Sequence, residues 1–219
     1  IQFYCENNQE VLDTVLHSYS IAEQLMTPVM LVMDAFILSH TSEIVDLPEV
    51  EEVRKFLPPF DPAVKLDPDD PRAFGSITGP AEYQELKRGR DQAVRSAAAL
   101  AKEVDSEYAN RFGRGYGIVD AYRCEDAELV LLTSGTLAGT SRIAVDSMRE
   151  AGLAVGTLKV RLFRPFPGKD IAAALEGVPK IAVIDRNVSI GVGGIFAQEL
   201  KAAFYDAEER PAILGYIGG

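Results

Sequence analysis

Short apolar runs alternate with amphipathic stretches through the second half of the chain. In residues 128–167 the run Leu129-Val130-Leu131-Leu132 is rich in strand formers and stops at Thr133-Ser134-Gly135, the composition of a strand that ends where a helix begins. Leu137, Ile143, Ala144, Met148 and Ala151 then recur at nearly helical spacing, Gly152 closes the helix, and residues 155–162 supply a second strand that Pro165 stops. Two strands joined through a crossover helix run parallel. The pattern repeats, with a strand at 180–185, a helix at 195–205 opened by Gly191, Gly193 and Gly194, and a last strand at 212–217. Four strands alternating with helices predict an α/β domain built on a parallel, doubly wound sheet, whose strands are apolar because both faces are covered.

The first half reads in the same way but breaks off. Residues 1–5 predict a strand, Asn7 stands three residues ahead of Glu10 as a capping pair, and residues 11–25 predict a helix with Leu12, Val15, Tyr19, Ala22 and Leu25 on one face. Thr27-Pro28 ends it, and residues 29–33 predict a buried strand. That strand delivers Asp34, Phe36, Ser39 and His40 into a loop at its carboxyl end, where open α/β sheets gather their ligands. Seven prolines and many acidic residues between 46 and 80 have the composition of a linker, one that lies on a surface or against a neighbouring subunit. Residues 81–110 predict a long helix, and 111–125 a Gly-rich turn. The expected division is 1–46, a linker with its helix over 47–110, and a second domain over 111–219.

A chain of 219 residues, 47% hydrophobic and 25% charged, has a real core available. Its net charge of −11 argues against nucleic acid as a partner, since that affinity comes from Lys and Arg releasing counterions. No apolar run approaches the roughly 18 residues that read as a membrane span, and no signal-peptide pattern opens the chain, so a cytoplasmic location is expected. Two cysteines without a CxxC and two histidines do not make a four-cysteine cluster or a structural zinc site; any such centre belongs on another chain. The sequence begins in a strand without Met and stops at Gly218-Gly219 just after one, so it is read as part of a larger polypeptide.

Several positions are candidates for chemistry. Gly135 and Gly139 at a strand-to-helix turn form either an anion cradle or a tight packing contact, and Gly193 in the second glycine group has the same two readings. Neither group has a GxGxxG or a GK[ST] pattern. Arg164, Asp185 and Arg186 lie beyond strand ends, where they make a site or, preferably, an interface. His40 is a candidate proton carrier; His17 falls in mid-helix. Asn7-Asn8 lacks the GDG of a metal–diphosphate motif.

The string Tyr4-Cys5-Glu6-Asn7-Asn8-Gln9-Glu10 with Asp13, Pro28-Val29-Met30 and Asp34-Ala35-Phe36 resembles the end of the first domain of the α subunit in the pyruvate:ferredoxin oxidoreductase family. The resemblance continues through Leu66-Asp67-Pro68-Asp69-Asp70-Pro71, Phe112-Gly113-Arg114, Tyr122-Arg123-Cys124-Glu125-Asp126-Ala127, Leu162-Phe163-Arg164-Pro165-Phe166-Pro167 and Ile184-Asp185-Arg186-Asn187. It implies part of a thiamine pyrimidine-binding domain followed by a transketolase C-terminal-like domain. It also implies a thiamine-diphosphate enzyme that oxidatively decarboxylates pyruvate to acetyl-CoA with coenzyme A as co-substrate and passes electrons to ferredoxin. Magnesium and [4Fe-4S] clusters are then held by partner chains, the β, γ and δ subunits. The family's activating glutamate and substrate arginine belong before Ile1, so no catalytic residue is assigned here, and Asp34, Phe36 and His40 are the expected lining of the cleft. Alternatives stay open: another 2-oxoacid (oxoglutarate, oxoisovalerate or oxalate), a transketolase-type enzyme, or a non-catalytic assembly module holding an anion such as coenzyme A.

Overall fold

The computed structural model describes residues 1–75 and 77–218. Strand β1 (Gln2–Tyr4) runs into helix α1 (Asn8–Leu25), whose start is fixed by Asn7: its side-chain oxygen accepts from the Glu10 backbone N–H at 2.9 Å. Met26, in a left-handed conformation (φ 49°), ends the helix before β2 (Met30–Val32). The linker is not bare, because α2 (Val50–Phe56) lies in it and anchors Phe56 in the core. Helix α3 (Pro80–Phe112) begins with proline in its first turn, where no N–H is missed, and closes at Gly113 (φ 73°).

Next come β3 (Val119–Tyr122), β4 (Leu129–Thr133), α4 (Leu137–Glu150), β5 (Val155–Val160), β6 (Leu162–Arg164), α5 (Gly168–Ala174) and β7 (Lys180–Asp185). The short strands β8 (Val188–Ser189) and β9 (Gly193–Gly194) form a hairpin before α6 (Ile195–Ala203) and β10 (Ala212–Ile217). The larger sheet has the order β10-β7-β4-β5-β3, with four parallel strands and β3 antiparallel at one edge. A strand therefore occupies part of the expected Gly-rich turn at 111–125.

Where one strand was expected over 155–162, the structure has two. β5 stays in the larger sheet; the chain then bends at Arg161, and β6 pairs antiparallel with β1 in a second sheet of order β2-β1-β6. The second half thus lends a strand to the sheet of the first. Side-chain alternation explains why this holds. Phe3 and Leu162 face a core shared with Ile21, Phe56, Val104, Tyr108 and Ile118, while Tyr4 and Phe163 face the core of Val130, Leu132, Leu158, Ile181 and Phe196. The small sheet is a wall with a core on each side.

Two further expectations are corrected. The face that α1 buries is Glu10, Asp13, Thr14, His17 and Ile21, whereas Val15 and Tyr19 are exposed. β2 is an edge strand with Met30 half exposed, not a buried one.

Candidate functional site

The polar face of α1 is buried because the second half of the chain brings charges to meet it. Arg161, at the bend between β5 and β6, is only 1% exposed. Its Nε stands 2.9 Å from Glu10 Oε1, its Nη2 donates to Thr14 Oγ1 and lies against His17 Nδ1 (both 2.9 Å), and its Nη1 donates to the Gly117 carbonyl at 3.0 Å. The rings of Phe3 and Tyr116 lie 5.0 and 5.1 Å from the guanidinium, a cation–π environment. Lys159 bridges Glu10 (2.7 Å) and Glu6 (3.0 Å), and Arg142 joins Glu6 to Asp120. Nearby, Asp13 accepts from the hydroxyls of Tyr108 and Tyr116 at 2.7 and 2.6 Å and from Arg114 Nε at 2.7 Å.

These contacts set the protonation of the seam. Burial pushes the Asp13 carboxyl up, but Arg114, the two tyrosine hydroxyls and Gln9 outweigh it and hold the group below the usual carboxylate range. Burial, reinforced by the Arg161 charge, pushes His17 down to about 3, so its ring is neutral. A polar cavity of about 400 Å³ opens beside Glu6, Glu10, Asp120, Arg142 and Lys159.

A second cluster lies beyond the carboxyl ends of both sheets. Asp34, leaving β2, reaches the start of α4: its Oδ2 accepts from the Thr136 N–H at 2.7 Å and from Thr136 Oγ1 at 2.5 Å, and Arg186 Nη1 lies 3.0 Å away. Gly135 (φ 59°) makes room for this approach, since a Cβ there would fall 2.7 Å from Asp34 Oδ2. Alongside, Asn187 Nδ2 donates to Tyr4 Oη at 3.2 Å. A cavity of about 510 Å³ is lined by Val32, Asp34, Ile37, Ser134 and Arg186 among others.

Of the residues expected to line a cleft, only Asp34 faces this cavity. Phe36 and His40 are exposed and stack on each other, ring centroids 4.7 Å apart. Arg164, Asp185 and Arg186 each take a separate partner, Arg186 pairing with Asp34. Arg164 binds Glu199 at 2.6 Å and covers the Phe163 ring, while Asp185 accepts from the Phe196 and Ala197 N–H groups at 3.0 and 3.1 Å, with Gly194 close enough that no Cβ would fit. Gly193 lies in the β8–β9 hairpin at φ 112°.

Three of the four helix starts that closely follow strands thus hold a carboxylate of this chain: Glu43 on the Asn8 N–H of α1 at 3.0 Å, Asp34 on α4 and Asp185 on α6; the seven-residue α5 starts at Gly168 without one. At those three starts the N–H groups a diphosphate would use are already taken. Sequence reasoning missed Glu10, Lys159, Arg161 and Asp13. The signal available was the helical spacing of Glu10, Asp13, Thr14, His17 and Ile21, which share the face of α1 opposite the one read as apolar.

The fold and this seam define a two-sheet α/β protein whose halves are joined by buried charge. Comparison with known proteins narrows the class. Residues 1–106 match the family model for the thiamine-diphosphate-binding part of pyruvate flavodoxin/ferredoxin oxidoreductase, and residues 127–219 match core domain II of pyruvate:ferredoxin oxidoreductase. The pyruvate synthase subunit PorA of Methanothermobacter thermautotrophicus is 42% identical over all of this chain and 57% of its own length. The ketoisovalerate oxidoreductase subunit VorA of Pyrococcus horikoshii is 43% identical over all of this chain and 56% of its own. The chain therefore spans somewhat over half the length of these relatives. A solved 2-oxoglutarate:ferredoxin oxidoreductase from Magnetococcus marinus, with 2-oxoglutarate, coenzyme A and succinyl-CoA bound, shares the fold at 15% identity, with a TM-score of 0.64 over all of this chain and 39% of that one. The chain belongs to the pyruvate:ferredoxin oxidoreductase family. No described helix is long and apolar enough to cross a membrane.

Proposed function

We propose that this chain is an α-subunit portion of a pyruvate:ferredoxin oxidoreductase, which decarboxylates pyruvate to acetyl-CoA on thiamine diphosphate and hands the electrons to ferredoxin. The observation that carries this reading is the 42% identity to a pyruvate synthase subunit along the whole chain. The geometry supports a division of labour. Thiamine diphosphate supplies the carbanion chemistry of decarboxylation, but the starts of α1, α4 and α6 are filled by Glu43, Asp34 and Asp185. The diphosphate, magnesium and the iron–sulfur clusters are accordingly assigned to the β, γ and δ partner chains. Residues Val32, Met33 and Ile37 with Ser134 contribute a wall of the cleft.

A second reading differs only in substrate. The equal likeness to a ketoisovalerate oxidoreductase subunit makes a branched 2-oxoacid the alternative. The test is the assembled complex supplied with coenzyme A and ferredoxin or viologen, given pyruvate, oxoisovalerate and oxoglutarate in turn. Reduction fastest with pyruvate is expected; preference for oxoisovalerate selects the second reading, and reduction indifferent to coenzyme A rejects both.

A further inference from the structure

The stretch Leu66-Asp67-Pro68-Asp69-Asp70-Pro71, with Phe74 after it, has no part in the buried seam or in the cavity beyond the sheets. Both ends of the segment that carries it are anchored. Upstream, Phe56 of α2 is buried and Glu52 pairs with Arg111 of α3 at 3.1 Å; downstream, Pro80 opens α3. From Leu57 to Gly79 no helix or strand forms among the described residues, and no backbone–backbone hydrogen bond involves residues 58–75. Phe60, Leu66 and Phe74 in this segment are 51%, 83% and 55% exposed.

A tether that only spans a distance needs none of this. Polar residues serve it best, because large apolar side chains held in water forgo the gain that burial brings. Pro58, Pro59, Pro62, Pro68 and Pro71 hold φ near −65° and donate no N–H, so the segment has fewer conformations to lose when it docks. Extended backbone with unused carbonyls and spaced apolar side chains suits an arm that lies along another surface. Charge selects the surface. Asp61 pairs with Lys65 and Asp70 with Arg72 inside the arm, which leaves Asp67 and Asp69 without a cation among the described residues. A second copy of a chain with net charge −11 repels such an arm, whereas apolar pockets rimmed by Lys or Arg attract it.

We propose that residues 57–75 form a docking arm for a partner chain of the oxidoreductase complex. Phe60, Leu66 and Phe74 enter apolar pockets of that chain, and Asp67 and Asp69 meet basic residues around them. This rests on the reading of the chain as one subunit of several.

The test uses the assembled complex. Phe74→benzoylphenylalanine, a photo-crosslinking substitution, is expected to join this chain to a partner chain, identified by mass spectrometry of the product. Amides of residues 60–75 are expected to exchange with deuterium about 10-fold or more slowly in the complex than in a free peptide of the same sequence, although the chain itself supplies them no backbone acceptor. Leu66→Ser and Phe74→Ser each raise the dissociation constant of the complex about 10-fold or more in a dilution series, the effect of truncating an anchoring side chain. Asp67→Lys with Asp69→Lys raises it a few-fold and flattens its dependence on salt. A crosslink to a second copy or within this chain, exchange at the peptide's rate, or an unchanged dissociation constant in both serine variants overturns the proposal, as does a chain isolated without partner chains. A partnered complex that oxidises no 2-oxoacid overturns only the parent reading, and the crosslink still decides this one.

Discussion

Replacing Arg161 by Met keeps most of the side chain's length and removes its charge. The guanidinium is buried with Glu10, Thr14, His17 and the Gly117 carbonyl around it, so the substitution leaves Glu10 with Lys159 as its remaining cation and strands three further acceptors. Removing one partner of a buried pair costs about 3–5 kcal/mol, because the other charge stays buried. At about 2–4 °C of melting temperature per kcal/mol for a domain of this size, a loss near 4 kcal/mol corresponds to roughly 8–16 °C. Thermal unfolding of the subunit in its complex, followed by calorimetry, reads this directly. Lysine in place of Arg161 reaches one acceptor but not the whole set, so Arg161→Lys is expected to fall between Met and wild type. Adding Glu10→Gln to Arg161→Met removes the stranded carboxylate and is expected to recover about 1 kcal/mol or more as a coupling energy. A shift below about 3 °C for Arg161→Met, or strict additivity of the two changes, refutes the view that buried charge joins the halves.

Three other outcomes follow from the same geometry. Asp34→Ala frees the start of α4, costs about 1–3 kcal/mol for the lost charged hydrogen bonds, and lets millimolar phosphate raise the melting temperature; an equal phosphate effect in wild type contradicts the filled helix start. The pKa of Asp13 is lowered on folding, so its stabilisation is full above the unfolded value of about 3.9 and is lost as pH falls through the folded one. The stability gap between wild type and Asp13→Asn is therefore expected to narrow in acid, and a gap constant down to the lowest pH tested removes the argument. Burial pushes the Cys5 and Cys124 thiols up to about 11, so both are expected to alkylate at pH 8 only after denaturation, as mass spectrometry of labelled native and unfolded samples would show.

Repeating local patterns carried much of the architecture. The runs at 129–132 and 180–185, each followed by glycine and a helical repeat, are sufficient for a parallel α/β sheet, since period and punctuation are properties of neighbouring residues. The Asn7–Glu10 cap was legible for the same reason, and half of it forms: Asn7 takes the Glu10 N–H, while the Glu10 carboxylate takes the Glu6 N–H and the buried cations. Helix α2 was hidden by prolines on both sides, although Glu51, Glu52, Arg54 and Lys55 place charges that suit a helix at each end. The candidate loop was found from the position of Asp34 and His40 after a strand, but Phe36 and His40 turned to each other, a pairing that depends on one left-handed φ angle.

The sequence by itself determined the alternation of strands and helices, the family, and the end of the sheets at which polar residues collect. Only the tertiary structure decided that α1 turns its charged side inward, that the strand after Arg161 crosses to the other sheet, and that Asp34 fills the start of α4. Each of these depends on partners about 100 to 150 residues apart, and a charge is worth burying only where the opposite charge is already held in place. Periodicity reports which face of a helix is apolar. It does not report what the rest of the chain brings to the other face.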